Sequence, residues 1–221
     1  PTAINYPEQR PFFNKGVDAL DFEINVFNSR SINDPSFASK ILNQGRKSRI
    51  YFLTAIDNET PYLAPSEFES FHALGRISFN NIFRYQNFID EKTQFGLISL
   101  NRIYDGGGYG NTFGADALFN FADVWKFSIE GFINYNKEPV ANWIDSDKRF
   151  GDYSFNLDGE TFNGYSFFSE IRRETETWRS FIQYKVLSDD FRSDIGFITK
   201  NDIKQYDIWH SFYPVSYTHL R

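Results

Sequence analysis

The chain has 221 residues, room for one large domain or two small ones, and 23 Lys and Arg against 29 Asp and Glu give a net charge of -6. That acidic balance offers no electrostatic footprint for nucleic acid, and the absence of cysteine removes disulfide frameworks and thiolate metal sites. Mean hydropathy is -0.50 and no window approaches the ~20 apolar residues of a membrane helix, yet 19% of the chain is aromatic, a composition that favours strands and membrane interfaces.

Methionine is absent and the first residue is Pro1, so the expectation is an internal piece whose initiator and any signal peptide lie elsewhere. Helix periodicity is scarce while apolar and polar residues alternate repeatedly, which predicts an all-β chain. Residues 1–47 read as a plug-like lead-in segment, with one short strand at 24–30 (INVFNSR). Strands then follow at 48–56, 70–80, 93–104, 110–121, 125–135, 162–173, 177–187 and 203–213. In the two central strands Phe113, Phe119, Phe127, Ile129 and Ile133 share one face, and Asp116, Lys126 and Glu130 share the other.

The connections carry as much information as the strands. Residues 122–124 and 174–176 are tight, whereas 57–69, 136–161 and 188–202 are long and 105–110 is glycine-rich. Placing tight turns on one edge gathers the longer loops on the other, with 81–92 as the exception. Long strands with that asymmetry predict an antiparallel up-and-down transmembrane β-barrel, seen here as an open portion of a larger one. A soluble antiparallel sandwich with one wet face alternates equally well and is the alternative. In the barrel reading the greasy face meets lipid and Asp116, Lys126 and Glu130 look into a wet lumen.

"YPEQRPFFNKGVDALDF" (6–22), followed by "VFNSR" (26–30), is more specific than strand sequence. With "GYGNTFGADA" (108–117) and "DDFRSDIGFITKNDIKQY" (189–206), it resembles a domain of unknown function in Bacteroidota-type envelope proteins, where that domain follows a family-9-like carbohydrate-binding domain. Glu8, Arg10, Pro11, Phe12, Phe13, Gly16, Asp18, Arg30, Asp116, Arg192 and Asp194 fall on positions of the shared motifs; Gln9, Asn28, Ser31 and Ser193 depart from them. The resemblance implies a β-barrel in the outer membrane of a Gram-negative envelope, with lipid and a carbohydrate ligand as partners. The family's activity is not established, so it implies location rather than chemistry. The tail from 214, ending "VSYTHLR", breaks the pattern and reads as non-native, so His219 carries no weight.

No catalytic motif stands out. His72 and His210 lack zinc spacing, "DGGGYG" lacks the lysine and helix of a phosphate cradle, and "DSDKRFGD" (145–152) lacks most ligands of a calcium loop. The expected metal and cofactor content is therefore none, and no nucleic-acid partner is expected. Asp189, Asp190 and Asp194 could serve as a carboxylate pair for glycoside hydrolysis, but Arg192 and Asp194 read better as a structural pair. Glu8, Arg10 and Arg30 read as paired charges within the lead-in segment. Trp143, Tyr153 and Phe155, in the longest loop, are the residues expected to touch a glycan. The functional expectation is the barrel portion of a surface protein that handles carbohydrate. The alternative is a glycan-active hydrolase or a soluble glycan-binding sandwich.

Overall fold

Residues 7–90, 93–150 and 152–213 are described by a computed structural model. The strands are β1 (Pro35–Gln44), β2 (Ser48–Asp57), β3 (Pro61–Pro65), β4 (Ser70–Leu74), β5 (Ser78–Phe88), β6 (Thr93–Tyr104) and β7 (Tyr109–Phe121). They continue with β8 (Trp125–Lys137), β9 (Arg149–Phe150), β10 (Tyr153–Ser154), β11 (Thr161–Glu174), β12 (Trp178–Leu187) and β13 (Ile203–Phe212). Among the described residues helix is limited to one turn, α1 (Pro11–Asn14), and two 3-10 turns at Val17–Leu20 and Ser29–Ser31. The chain is thus all-β, and its main sheet is antiparallel, as expected.

Nine strands make that sheet in the order β1-β2-β5-β6-β7-β8-β11-β12-β13, each pairing with the next long strand in sequence. Among the described residues the sheet does not close: β1 and β13 stand at opposite edges. The hairpins β3–β4 and β9–β10 lie inside the loops that follow β2 and β8. Three- or four-residue turns join β1 to β2, β5 to β6, β7 to β8 and β11 to β12 at one end. At the other end lie residues 58–77, the glycine turn 105–108, 138–160 and 188–202.

Several expectations need correction. Residues 24–30 are extended chain ending in a 3-10 turn, not a strand, because their backbone groups serve loop contacts such as Asn28 N–H to the Ile195 carbonyl at 2.8 Å. The sheet begins at Pro35, so the lead-in segment stops short of residue 47. β1 escaped notice because Ser39, Lys40, Asn43 and Gln44 blur its alternation. The span 70–80 is two elements: β4 ends at Leu74 and β5 starts at Ser78. The exceptional connection 81–92 is mostly β5, whose inward Arg84 and Gln86 erase the amphipathic signal, and the true turn is short. The proposed tail, 214–221 with His219, lies outside the described residues.

Register settles the two faces, because successive side chains alternate and directly paired residues share a side. Ile82 pairs with both Leu53 and Leu100 on the inner face, where all three are buried. Residues 7–34 and 188–202 lie across this inner face. Phe13, Leu20, Phe22, Ile24, Val26 and Ile32 meet Phe191, Ile195 and Ile198, and together they pack on Leu53, Ile82, Leu100, Phe132 and Phe168. Gly164 in β11 permits the close crossing, since a Cβ there would lie 2.5 Å from the backbone at Asp190 and Phe191.

Phe132 is only 2% exposed and meets Phe22 edge to face at 5.2 Å, whereas its neighbour Ile133 is 46% exposed on the opposite face. Phe132→Ala is therefore expected to destabilise the fold by about 3–5 kcal/mol. Denaturant unfolding followed by tryptophan fluorescence tests this, and a cost below 1 kcal/mol would show that the lead-in segment is not anchored there.

Candidate functional site

The inner face carries the charge, and the covering segments divide it into a buried polar node near the long loops and a cleft nearer the tight turns. The node centres on Arg192, which leaves the sheet in the segment after β12 and turns back over β8. Its Nε donates to Asp194 Oδ1 at 2.9 Å and its Nη1 to Glu138 Oε1 at 3.2 Å, and all three side chains are almost fully buried. The guanidinium lies against the rings of Phe162 and Tyr62, 4.6 and 4.9 Å from their centroids. Tyr104 donates to Asp194 at 2.7 Å, and Gly110 leaves room for that carboxylate, because a Cβ there would lie 2.3 Å from it.

Neighbouring Arg102 pairs with no carboxylate in this node; it donates instead to Asn80, to the Pro61 and Asp194 carbonyls, and to the Ser31 carbonyl. It thereby joins β5, β3, the 188–202 segment and the lead-in segment. Burial pushes the Glu138 carboxyl up to about 7 against the opposing pull of Arg192, and burial likewise raises the Tyr62 hydroxyl. Four buried polar atoms in the node, Arg192 Nη2, Glu138 Oε2, Asn134 Nδ2 and Asn136 Oδ1, have no protein partner.

The cleft encloses about 490 Å³ between the sheet and residues 18–23. Seven carboxylates border it, against Arg84, Lys126 and Arg172. Arg84 forks onto Asp116, donates to the Ala19 carbonyl at 2.9 Å and stacks on Phe22, while Gly96 leaves space for its guanidinium. Asp116 and Glu130 face each other across β7 and β8. Two carboxylates side by side on one wall of a cleft are the raw material of an acid–base pair. Both are already engaged, however: Asp116 by Arg84, and Glu130 by the backbone N–H groups of Glu23 and Ile24 at 3.1 and 3.4 Å. They dock the lead-in segment and leave the cleft as a polar compartment.

The sequence-derived residues fall into separate places. Glu8 and Arg10 form an ion pair at 2.7 Å; Ser29 also donates to Glu8, and Arg10 reaches the Ser29 and Ile32 carbonyls. Arg10 stacks on Phe13, which is buried, while Phe12 is partly exposed beside it, and Pro11 opens α1. Gly16 adopts φ 81° at the start of the next turn, Asp18 pairs with Arg49, and Arg30 donates to the Pro7 carbonyl. Asp116 lines the cleft, and Arg192 and Asp194 form the node. Of the glycan-contact residues, Trp143 packs on Tyr62 and Tyr104, Tyr153 tilts against Phe162, and Phe155 is sealed in the same cluster at 1% exposure. As placed, Phe155 presents no ring face to a sugar. It is corrected to a core residue that fastens the loop to Phe71.

Sequence reasoning missed Arg84, Arg102 and Glu138. Arg84 and Arg102 each sit at an inward position directly after a buried apolar one, Ile82 and Leu100, a signal that emerges only with the correct strand boundaries. No family model, curated protein or solved structure matches the chain.

Two outcomes follow. Arg192→Met should cost about 3–5 kcal/mol in denaturant unfolding, because it leaves buried carboxylates without their cation; a neutral result would mean the node is hydrated from solvent. At Glu8 burial acts to raise the carboxyl, but hydrogen bonds from Arg10 and Ser29 and the Arg10 charge outweigh it and hold the group at about 2, below its ordinary 4.5. Its contribution is then fully present above about pH 4.5 and is lost as pH falls toward 2. Glu8→Gln should destabilise by about 1.5–3 kcal/mol at pH 7. That deficit should shrink across this acid window in unfolding curves, and a pH-independent deficit would contradict the pairing.

Proposed function

We propose that the chain is the membrane-spanning β-sheet of an outer-membrane barrel, with its outer face in lipid and its inner face lining a polar compartment filled by residues 7–34 and 188–202. The observation that carries this reading is the outer face itself. Across nine strands its only charged positions are Lys137, Arg173 and Lys204, all at or next to strand ends. Phe79, Phe83, Leu97, Ile103, Phe113, Ile133, Tyr165, Ile182 and Ile208 are exposed there. Water-soluble monomers rarely expose contiguous apolar patches beyond a few hundred Å².

Aromatic residues band this face at both ends, as they do at membrane–water interfaces. Phe121, Trp125 and Trp178 lie near the tight turns, and Phe121 and Trp125 stack at 6.2 Å. Tyr109, Tyr135, Tyr165 and Tyr206 lie near the long loops. From Trp125 to Tyr135 is about 33 Å of strand, or about 25 Å of height at a tilt near 40°, which matches the apolar band of a barrel. The motif resemblance of the lead-in segment accords with this location. It also motivates the remaining part of the reading, a surface protein that handles carbohydrate at its long-loop end.

The absence of cysteine from these 221 residues favours a direct test by single-cysteine labelling in the intact protein. A fluorophore on Leu97→Cys, at mid-strand on the outer face, is expected to be quenched by lipid-borne quenchers, while one on Ser128→Cys in the cleft is spared. Leu97→Arg should also cost about 2–4 kcal/mol in membrane-folded protein. Equal quenching at the two sites, or recovery of the full-length protein in the soluble periplasm, would defeat the reading.

A further inference from the structure

The ladder between β8 and β11 runs past its last paired residues, Lys137 and Thr161, into the long loop. Glu138 N–H donates to the Glu160 carbonyl at 2.9 Å, and Val140 bridges Asp158 two residues further on. This pairing returns both ends of the 138–160 loop to one place. It brings carboxylate oxygens of Glu138, Asp158 and Glu160 within 4.8 Å of one another.

Three acidic groups at that spacing repel one another unless a cation lies between them. Among the described residues no lysine or arginine pairs with Asp158 or Glu160; their polar contacts are with Ser154, whose N–H meets Glu160 at 2.8 Å and whose hydroxyl meets Asp158 at 3.3 Å. Arg192 is the cation in contact with Glu138, and it is shared with Asp194. A separate observation concerns Glu138 itself. Its side chain is 1% exposed, and Oε1 takes both Arg192 and Tyr62 while Oε2 is buried with no partner. A buried carboxylate oxygen left unsatisfied costs free energy that a bound ion would recover.

We propose that Glu138, Asp158 and Glu160 bind a hard divalent cation of the calcium type, which clamps the two ends of the long loop over the Arg192 node. Carboxylate-only donors select a hard ion, and calcium accepts irregular oxygen sets at ~2.3–2.6 Å, so opposite ligands on one ion stand about 4.6–5.2 Å apart. The three oxygens fit within that span. The aspartates of "DSDKRFGD" are not part of this group.

Calcium chloride titrated calorimetrically into the purified, chelator-treated full chain in detergent should show one saturable site per chain. Bound calcium should also protect residues 139–157 from limited proteolysis. Asp158 is exposed, so Asp158→Asn leaves the packing intact; that variant, alone and with Glu160→Gln, should bind calcium at least tenfold more weakly while unfolding like the parent in chelator. Absence of saturable binding at millimolar calcium would overturn the site, as would variants that bind as tightly as the parent.

Discussion

A guanidinium removed from water at Arg192 is the contact on which the covered half of the sheet depends. A buried charge of this kind persists only when it is paired and hydrogen-bonded. Asp194 and Glu138 supply the pairing, and they come from different parts of the chain: Asp194 from the segment after β12, Glu138 from the end of β8. Satisfying one charge therefore fixes the 188–202 segment across the inner face. Phe191, Ile195 and Ile198 follow it down, and their apolar surface gives the lead-in segment something to bury against.

Arg84 and Arg102 repeat the device at two other heights. Arg84 ties the Val17–Leu20 turn to β5 and, through Asp116, to β7; Arg102 ties the Ser29–Ser31 turn to β6 through the Ser31 carbonyl. Each guanidinium is almost fully buried; Arg84 gives one donor to a carbonyl of the covering segments and two to Asp116, whereas Arg102 gives two to such carbonyls, those of Asp194 and Ser31. The inner face thus uses charge where an ordinary core would use more hydrocarbon. The covering segments contribute few regular hydrogen bonds of their own, so these side-chain donors satisfy carbonyls that would otherwise be stranded.

The outer face has the opposite character, and the two are linked by the period of the strand. With side chains alternating strictly, moving any strand by one residue would exchange Arg84 for Phe83 and Asp116 for Ala115 or Ala117. Burying the charges in the covered compartment and leaving the aromatic side uncovered is therefore a single choice of register, made nine times. It leaves an apolar surface that the described residues do not cover.

The sequence alone determined the strand-rich architecture, the two characters of the strands, and the separation of short turns from long loops, because alternation and turn residues are local properties of the backbone. Six of the eight expected strands matched to within one residue at both ends, and the Arg192–Asp194 pair was legible because its members stand two residues apart. Where alternation is blurred by inward polar residues, as in β1 and β5, local reasoning lost the strand. Only the tertiary structure decided that Phe155 is core, that Arg84 meets Asp116 across β6, and that Glu138 joins Arg192, Asp158 and Glu160. Those contacts join residues 20 to 84 positions apart, brought together by loop closure and sheet register. No spacing rule along the chain encodes such a meeting, because it depends on how every intervening strand is paired.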